Sequence, residues 1–330
     1  MSPLVAGGAA PHVTVFIPTF NGARYLEALL VALEQQQTPW PFEVLVIDSG
    51  SSDETLTILA RHRVRLICIP NHEFDHGATR NRAVQEARGA VVVLTVQDAT
   101  PAGPGWLLTM VSHFQDSEVG GVYCDQVPRP DCSPFLRERL ARWVQGGGTP
   151  SVSQVKDLDH FWNVVHPNER WNIIKFDNVA SAVRRSTALA HPFPRRRFGE
   201  DVTWAKGAIL AGFKIVYEPR VAVIHSHPLS IWYEFKRAYL DHQNVNDLVG
   251  SRLAPRLRNV FEYTVAESRR LFRVVWMDET LDPIERMFWL AKVLPFAFTQ
   301  NLGQYLGPLS NVQGRRGFWK WWDRLMGKGV

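Results

Sequence analysis

The most regular stretch of the chain is the apolar run Ala90-Val-Val-Val-Leu94, which switches abruptly to Gln97-Asp98 and then meets Pro101. A short valine-rich run closed by turn residues predicts a strand buried on both faces. The same alternation of strand and helix occupies the residues before it. His12–Pro18 predicts a strand that breaks at Thr19-Phe-Asn-Gly22. Tyr25–Gln35 places Leu26, Leu29, Leu30 and Leu33 at helical spacing. Phe42–Asp48 and Val64–Pro70 read as strands, and Thr55–His62 and Thr79–Arg88 as helices. Such spacing predicts βαβ units, an α/β class and a mainly parallel central sheet flanked by helices.

Beyond Pro101 the pattern gives a helix at Trp106–Asp116 and a strand at Gly121–Cys124. From Gln126 to Phe176 it blurs, interrupted by Pro128, Pro130, Pro134, Pro150 and Pro167, which predicts a functional loop or lid. Order returns with strands at Asp177–Val183, Lys214–Tyr217 and Val221–His225, and a helix at Glu200–Ala211. From Ser230 onward, Trp232–Val249 and Arg252–Trp276 predict long amphipathic helices. Ile284–Leu306 predicts an aromatic-rich helix kinked or broken at Pro295. Three regions follow: a tail over 1–11, an α/β domain over 12–229 and a C-terminal helical region over 230–330.

Composition narrows the class. A chain of 330 residues buries a sizeable core. Its net charge of +5 suits an anionic partner. Three cysteines, Cys68, Cys124 and Cys132, lack metal-ligand spacing and predict reduced thiols in a cytoplasmic setting. The first residues lack the pattern of a signal peptide, and no apolar span is long enough to cross a bilayer. Zinc-finger spacing and base-reading basic helices are missing, so no nucleic acid is expected as a partner. No G-x-G-x-x-G follows the first strand and no G-x-x-x-x-G-K-[S/T] occurs, which weighs against a dehydrogenase and a P-loop NTPase.

The candidate chemistry sits at strand ends, where open α/β sheets bind ligands. Asp98 could hold a divalent cation against a phosphate, or cap a turn. Asp48 could accept a hydrogen bond from a pyrimidine imide, while Ser51 and Glu54 after it have capping-box spacing. Arg80 could orient Asp98 or meet a diphosphate through its planar fork. It lies in His72-Glu-Phe-Asp-His-Gly-Ala-Thr-Arg-Asn81, whose two histidines a plain helix start does not explain. Glu200-Asp201 opens a helix, where the dipole already favours acids, and only one of the two should face a substrate. His225 and His227 share a face if the strand continues through them, which suits a metal or phosphate contact.

Taken in order, Phe16-Ile-Pro-Thr-Phe-Asn21, Val46-Ile-Asp-Ser-Gly-Ser-Ser-Asp53, Arg80-Asn81, Gln97-Asp98 and Gly199-Glu-Asp201 resemble glycosyltransferase family 2, the GT-A fold. Ala211-Gly-Phe-Lys-Ile-Val-Tyr-Glu-Pro219 and His225 continue the resemblance. Within the family, His76-Gly-Ala-Thr-Arg-Asn81, Gln97-Asp98-Ala-Thr-Pro101 and His225-Ser-His227 are most similar to the bacterial rhamnosyltransferase branch. The resemblance implies an inverting transferase using Mg²⁺ or Mn²⁺ and a nucleotide-sugar, dTDP-L-rhamnose favoured, with a UDP-hexose as the alternative donor. Its acceptor would be a glycan or lipid-linked glycan of the bacterial surface. Thr19, Asn21, Asp48, Arg80, Gln97 and Asp98 would bind the donor, and Asp98 and His225 the metal. Asp201 would be the general base, with Glu200 supporting it or meeting the acceptor. Gln97 stands where many relatives carry a further acid. Trp162, Trp171 and Asn178 are the acceptor-side candidates, although loop tryptophans more often plug local cores. At the end of the chain, Trp319, Trp321 and Trp322 interleave with Arg315, Arg316, Lys320 and Arg324. That pattern predicts contact with a membrane surface, or closure of a helical region that packs on a second protomer. A metal-dependent hydrolase and a non-catalytic scaffold are the rival classes.

Overall fold

The structure is a computed structural model, and it describes residues 12–143, 148–226, 230–312 and 316–328. The first half alternates as β1 (Val13–Thr19), α1 (Ala23–Glu34), β2 (Phe42–Asp48), α2 (Thr55–Leu59), β3 (Arg65–Cys68), α3 (His76–Glu86) and β4 (Val91–Thr95). There follow β5 (Thr100–Pro101), α4 (Trp106–Ser112), β6 (Val119–Val127), α5 (Pro134–Trp143), β7 (Ser151–Ser153), α6 (Leu158–Asn163), α7 (Pro167–Ile173), β8 (Ala180–Arg184), α8 (Arg185–Ala190), α9 (Glu200–Leu210) and β9 (Lys214–Ile224). Four helices end the chain: α10 (Ile231–Val249), α11 (Leu257–Met277), α12 (Pro283–Val312) and α13 (Phe318–Met326).

The strands join one sheet in the order β3-β2-β1-β4-β8-β6-β9-β5, with β7 paired to β9. Pairing is parallel through β3-β2-β1-β4 and between β6 and β9. β8 runs antiparallel to β4 and β6, and β5 and β7 antiparallel to β9, so the sheet is mixed. Every residue of β4 is buried, as its valine run predicts, because sheet neighbours and helices cover both faces. The main core gathers Val15, Ile17, Leu29, Val46, Val93, Trp106 and Val122.

Two compact units result. The first comprises the described residues of 1–129, 143–163 and 173–225 and contains the sheet. The second comprises those of 130–142, 164–172 and 226–330. In the second, Phe135, Leu271, Val275, Val293, Phe296 and Ala297 form an apolar cluster. α12 lies directly on α10 through Gly303 and Gly307. A methyl group on Gly307 would stand 2.3 Å from the Tyr239 carbonyl oxygen. α13 is tied to α10 and α12 by Asp323, which accepts from Tyr239 Oη, Gln243 Nε2 and Ser310 Oγ.

The sequence reading needs three corrections. The stretch from Gln126 to Phe176 is not one irregular loop; it carries α5, β7, α6 and α7. Pro134 and Pro167 begin α5 and α7, where the missing N–H has no helical partner to lose. Ser51 and Glu54 do not cap α2, since the Ser51 hydroxyl is used elsewhere and Glu54 makes no side-chain cap bond. α12 runs on through both Pro295 and Pro308 instead of breaking. The three cysteines are free, Cys68 exposed and the other two buried. Among the described residues no helix is long and apolar enough to cross a membrane.

Candidate active site

Register brings the candidates to one sheet edge. Thr19 lies opposite Asp48 where β1 and β2 end together. Gln97-Asp98 follows the end of β4, which pairs β1 in parallel. On the other flank Gln126 and Val127 pair Val223 and Ile224, so β6 and β9 finish beside each other with His225 next in line. All of these belong to the first unit.

The nucleotide-side residues are bound mainly to one another. Asp48 is fully buried. Its Oδ1 accepts from the backbone N–H of Gly50 at 3.0 Å and of Ser51 at 2.9 Å. Its Oδ2 accepts from Thr19 Oγ1 at 2.9 Å and Ser51 Oγ at 2.5 Å. A carboxylate has about four lone-pair sites, so the protein itself occupies them. A base N–H could reach Asp48 only by displacing one of these donors. Asn21 takes a left-handed φ of 48°, and its Oδ1 accepts from Ser52 N at 2.8 Å. Thr19 and Asn21 thus tie the end of β1 to the loop that follows β2.

Gln97, expected on the donor side, is held by the backbone of the β1 turn. Its Oε1 accepts from Phe20 N at 2.9 Å and its Nε2 donates to Phe20 O at 3.1 Å. Only a carboxamide can accept and donate in this way; an acid offers no donor to the carbonyl. Gly22 leaves room for it, since a Cβ there would lie 2.4 Å from Gln97 Oε1.

Arg80 is paired with an acid at the start of α9. Its Nη1 donates to Glu200 Oε1 at 2.6 Å and to the His76 carbonyl at 3.2 Å, and both charged side chains are buried. Asn81 exchanges two 2.8 Å hydrogen bonds with the Phe193 backbone. Together they fasten α3 to the segment entering α9, and Asp75 caps α3 through Ala78 N. His72 and His76 are exposed, and the His76 ring packs edge-on against Phe74 at 4.9 Å between centroids.

At the start of α9, Gly199 adopts a left-handed φ of 72°, a turn that favours glycine. This sets Glu200 toward Arg80. Asp201 Oδ1 accepts from Val202 N at 2.8 Å, and Oδ2 lies 3.4 Å from Asn178 N. Burial, and then the charge of Glu200, push the Asp201 carboxyl up to about 7, while Val202 N–H and Arg80 act in the opposite direction. Asp201 still keeps some solvent exposure. A carboxyl that titrates near neutrality and can be reached suits proton acceptance. Beside it Asn178 is 2 % exposed; its Oδ1 accepts from Ser181 Oγ, and its Nδ2 has no hydrogen-bond partner.

On the other side, His225 Nε2 stands 3.8 Å from Asp98 Oδ1. His225 Nδ1 meets Gln126 Oε1 at 2.8 Å, and Gln126 Nε2 donates to Asp177 Oδ2. Asp177 as a carboxylate only accepts, so the amide must turn its oxygen to the histidine. In the neutral ring the proton then sits on Nδ1, and the Nε2 lone pair faces Asp98. Hydrogen bonds of this kind orient metal-binding histidines. A carboxylate and an imidazole nitrogen fit Mg²⁺ or Mn²⁺, which take few protein ligands and complete their shell with water and phosphate oxygens. Among the described residues no group of three or more acidic, histidine or cysteine ligands forms. His227 lies outside the described residues.

Three residues essential to this arrangement gave no signal in the sequence. Gln126 and Asp177 orient His225, as above. Arg129 donates to the carbonyls of Asp98 and Ile224, and its guanidinium lies 4.1 Å from the centroid of the Tyr25 ring. Their hydrogen-bond partners named here are 31 to 99 residues away in the chain. The acceptor-side tryptophans separate. Trp162, on α6, packs edge-on against Phe161 with Lys206 Nζ 4.9 Å from its centroid. Trp171 lies on α7 in the second unit.

The chain is similar to several known proteins. Residues 14–176 match the family described as Glycosyl transferase family 2. The O-antigen chain rhamnosyltransferase WbaN of Salmonella anatum is 29% identical over 96% of this chain and 97% of its own. The O-antigen chain rhamnosyltransferase RfbN of Salmonella typhimurium is 29% identical over 95% and 96%. Among solved structures, a mannosyltransferase of Pyrobaculum calidifontis in complex with GDP-Man and Mn²⁺ superposes with a TM-score of 0.57. It has 18% identity and covers 93% of this chain and 89% of that one. Glucosyl-3-phosphoglycerate synthase of Mycobacterium tuberculosis, with Mn²⁺, UDP-glucose and phosphoglyceric acid, gives 0.51 at 15% identity. It covers 73% of this chain and 80% of that one.

Proposed function

The chain belongs to glycosyl transferase family 2, has the GT-A fold and is a glycosyltransferase, and we propose that it transfers L-rhamnose from dTDP-L-rhamnose with inversion. The acceptor in this reading is a hydroxyl of a glycan or lipid-linked glycan in bacterial surface polysaccharide synthesis. The near-full-length likeness to two O-antigen chain rhamnosyltransferases supports the sugar and the pathway class. The carrying observation is Asp201, raised to about 7 at the mouth of α9 on the same sheet edge as Asp98 and His225.

Asp201 accepts the proton of the acceptor hydroxyl as that oxygen attacks the anomeric carbon from the side opposite the diphosphate. The charge of Glu200, opposed in part by Arg80, adds to burial in keeping Asp201 protonated, and the Arg80–Glu200 pair holds the start of α9 in place. Asp98 and His225 would hold a divalent cation, which would supply positive charge against the departing diphosphate. Arg129 anchors the turn carrying Asp98. Asp48 and Thr19 close the nucleotide end, and a pyrimidine is read there through the Ser51 loop they organise. The buried Asn178 side-chain amide, without a hydrogen-bond partner among the described residues, supports an acceptor-side role next to Asp201 in this reading. The protein works in the cytoplasm, and its C-terminal helices contact a membrane surface or a second copy.

The test is a donor competition followed by transfer. dTDP-rhamnose, UDP-glucose and GDP-mannose are titrated calorimetrically in the presence of Mn²⁺. dTDP-rhamnose binding at least tenfold tighter than the others supports the donor. Preference for a UDP-sugar transfers the reading to the hexose alternative.

A further inference from the structure

We propose that the α11–α12 hairpin is an interfacial surface that lies on an anionic phospholipid bilayer. This builds on the reading of the C-terminal helices as a contact region, and is independent of the donor and acceptor assignments.

α12 turns one uninterrupted apolar face to solvent. Ile284, Met287, Phe288, Leu294 and Phe298 recur at helical spacing, and exposed Ala291 and Pro295 fill the gaps. The stripe runs about 21 Å at 1.5 Å per residue. Ile284 is 82% exposed and Met287 72% exposed, and no charge interrupts the face. α11 adds a second exposed stripe of Phe261, Val265, Phe272 and Trp276.

The two stripes meet. The rings of Phe261 and Phe298 are 6.4 Å apart between centroids. A shallow groove of about 600 Å³ between the helices is lined by Phe272, Leu290 and Leu294, with Arg269 and Arg273 at its lip. A continuous apolar surface of this kind marks an interaction site.

Charge selects the occupant. Turning 100° per residue, Arg258, Arg269 and Arg273 fall along the exposed flank of the α11 stripe, with Glu262 the one acid among them. None of these three arginines has an ion-pair partner among the described residues. Lys292 extends its stem along α12, its Nζ 3.6 Å from the Phe288 centroid and 4.9 Å from that of Trp289. Apolar and aromatic residues on one face with arginine and lysine beside them are the pattern of a helix lying in a bilayer interface. A two-fold dimer through this face would gather three unpaired arginines from each copy, a like-charge cost that an anionic lipid surface turns into attraction. Neither helix is long and apolar enough to cross the bilayer, so the hairpin lies along it.

The experiment is flotation of the full-length protein with vesicles of phosphatidylethanolamine and phosphatidylglycerol at 3:1, and with phosphatidylcholine vesicles. Wild type should float with the anionic vesicles and much less with the neutral ones. Met287→Asp with Leu294→Asp should raise the half-saturating lipid concentration at least tenfold. Arg269→Gln with Arg273→Gln should abolish the preference for anionic lipid. Both sites are exposed, and circular dichroism with nucleotide-sugar binding on the same preparations confirms that fold and donor site persist. A wild type that does not float overturns the proposal. So does equal flotation of the Asp variant, which would put lipid binding elsewhere, as on the exposed Phe318 and Trp321 of α13. A wild-type dimer that ignores vesicles and dissociates on Met287→Asp in analytical ultracentrifugation would assign the face to self-association.

Discussion

Arg80 and Glu200, 120 residues apart in the chain, form a buried ion pair at 2.6 Å between α3 and the first turn of α9. Removing one member strands the other charge in a poorly solvated place, a cost of about 3–5 kcal/mol. Arg80→Leu should therefore lower denaturant stability by about that amount. Arg80→Leu with Glu200→Leu should recover much of the loss. Equal destabilisation of the single and double variants in urea titrations would mean that the pair itself is not the stabilising unit.

Asp201 gives a pH prediction with a definite sign. Its folded-state carboxyl is raised from 3.8 to about 7, so the folded protein holds a proton that the unfolded chain releases above about 4. The associated stability is complete below pH 4 and is lost as pH rises through 7. Asp201→Asn should thus gain thermal stability relative to wild type at pH 8 and little at pH 4. Catalysis moves the other way: kcat/KM should climb with pH through about 7, as a base must be unprotonated to act. A flat profile between pH 5.5 and 8.5 would remove Asp201 from that role.

Gln97 holds both polar groups of the Phe20 peptide backbone. Gln97→Glu places an acceptor against the Phe20 carbonyl, which should cost about 1–3 kcal/mol. Donor binding should weaken with the turn it supports, and Mn²⁺ affinity should not improve despite the added charge. Tighter Mn²⁺ binding by the Glu variant, measured calorimetrically, would show that position 97 reaches the metal after all.

The Asp177-Gln126-His225 relay should be measurable without turnover. Gln126→Leu removes the acceptor that keeps the proton on His225 Nδ1. Mn²⁺ affinity in the presence of dTDP should fall about 10–100-fold. The ¹⁵N shifts of His225 should show a mixed tautomer in place of a single Nδ1–H form. Unchanged affinity and shifts would reduce Gln126 to packing.

Much of this was legible because local pattern and fold agree. The valine run of β4 could only be a buried strand, and the acids at strand ends stood where the sheet presents ligands. α5 and α7 were hidden because Pro134 and Pro167 read as interruptions, although each is the first residue of a helix. The true partners of Gln97, Arg80 and His225 were hidden for another reason. Phe20, Glu200 and Gln126 lie 77, 120 and 99 positions away, and only the folded chain brings them into reach. A sequence shows that Arg80 carries a fork, but not which carboxylate fills it.

The most direct test of the transferase reading is incorporation of radiolabelled rhamnose from dTDP-L-[¹⁴C]rhamnose into glycan. The acceptor source is membranes of the organism that makes the protein, with Mn²⁺ at pH 8, comparing wild type with Asp201→Asn. The account predicts label in the glycan for wild type and at least a hundredfold slower transfer for the variant, with dTDP-rhamnose binding retained within about threefold. Wild-type transfer by Asp201→Asn, or label accepted from UDP-glucose but not from dTDP-rhamnose, would contradict it.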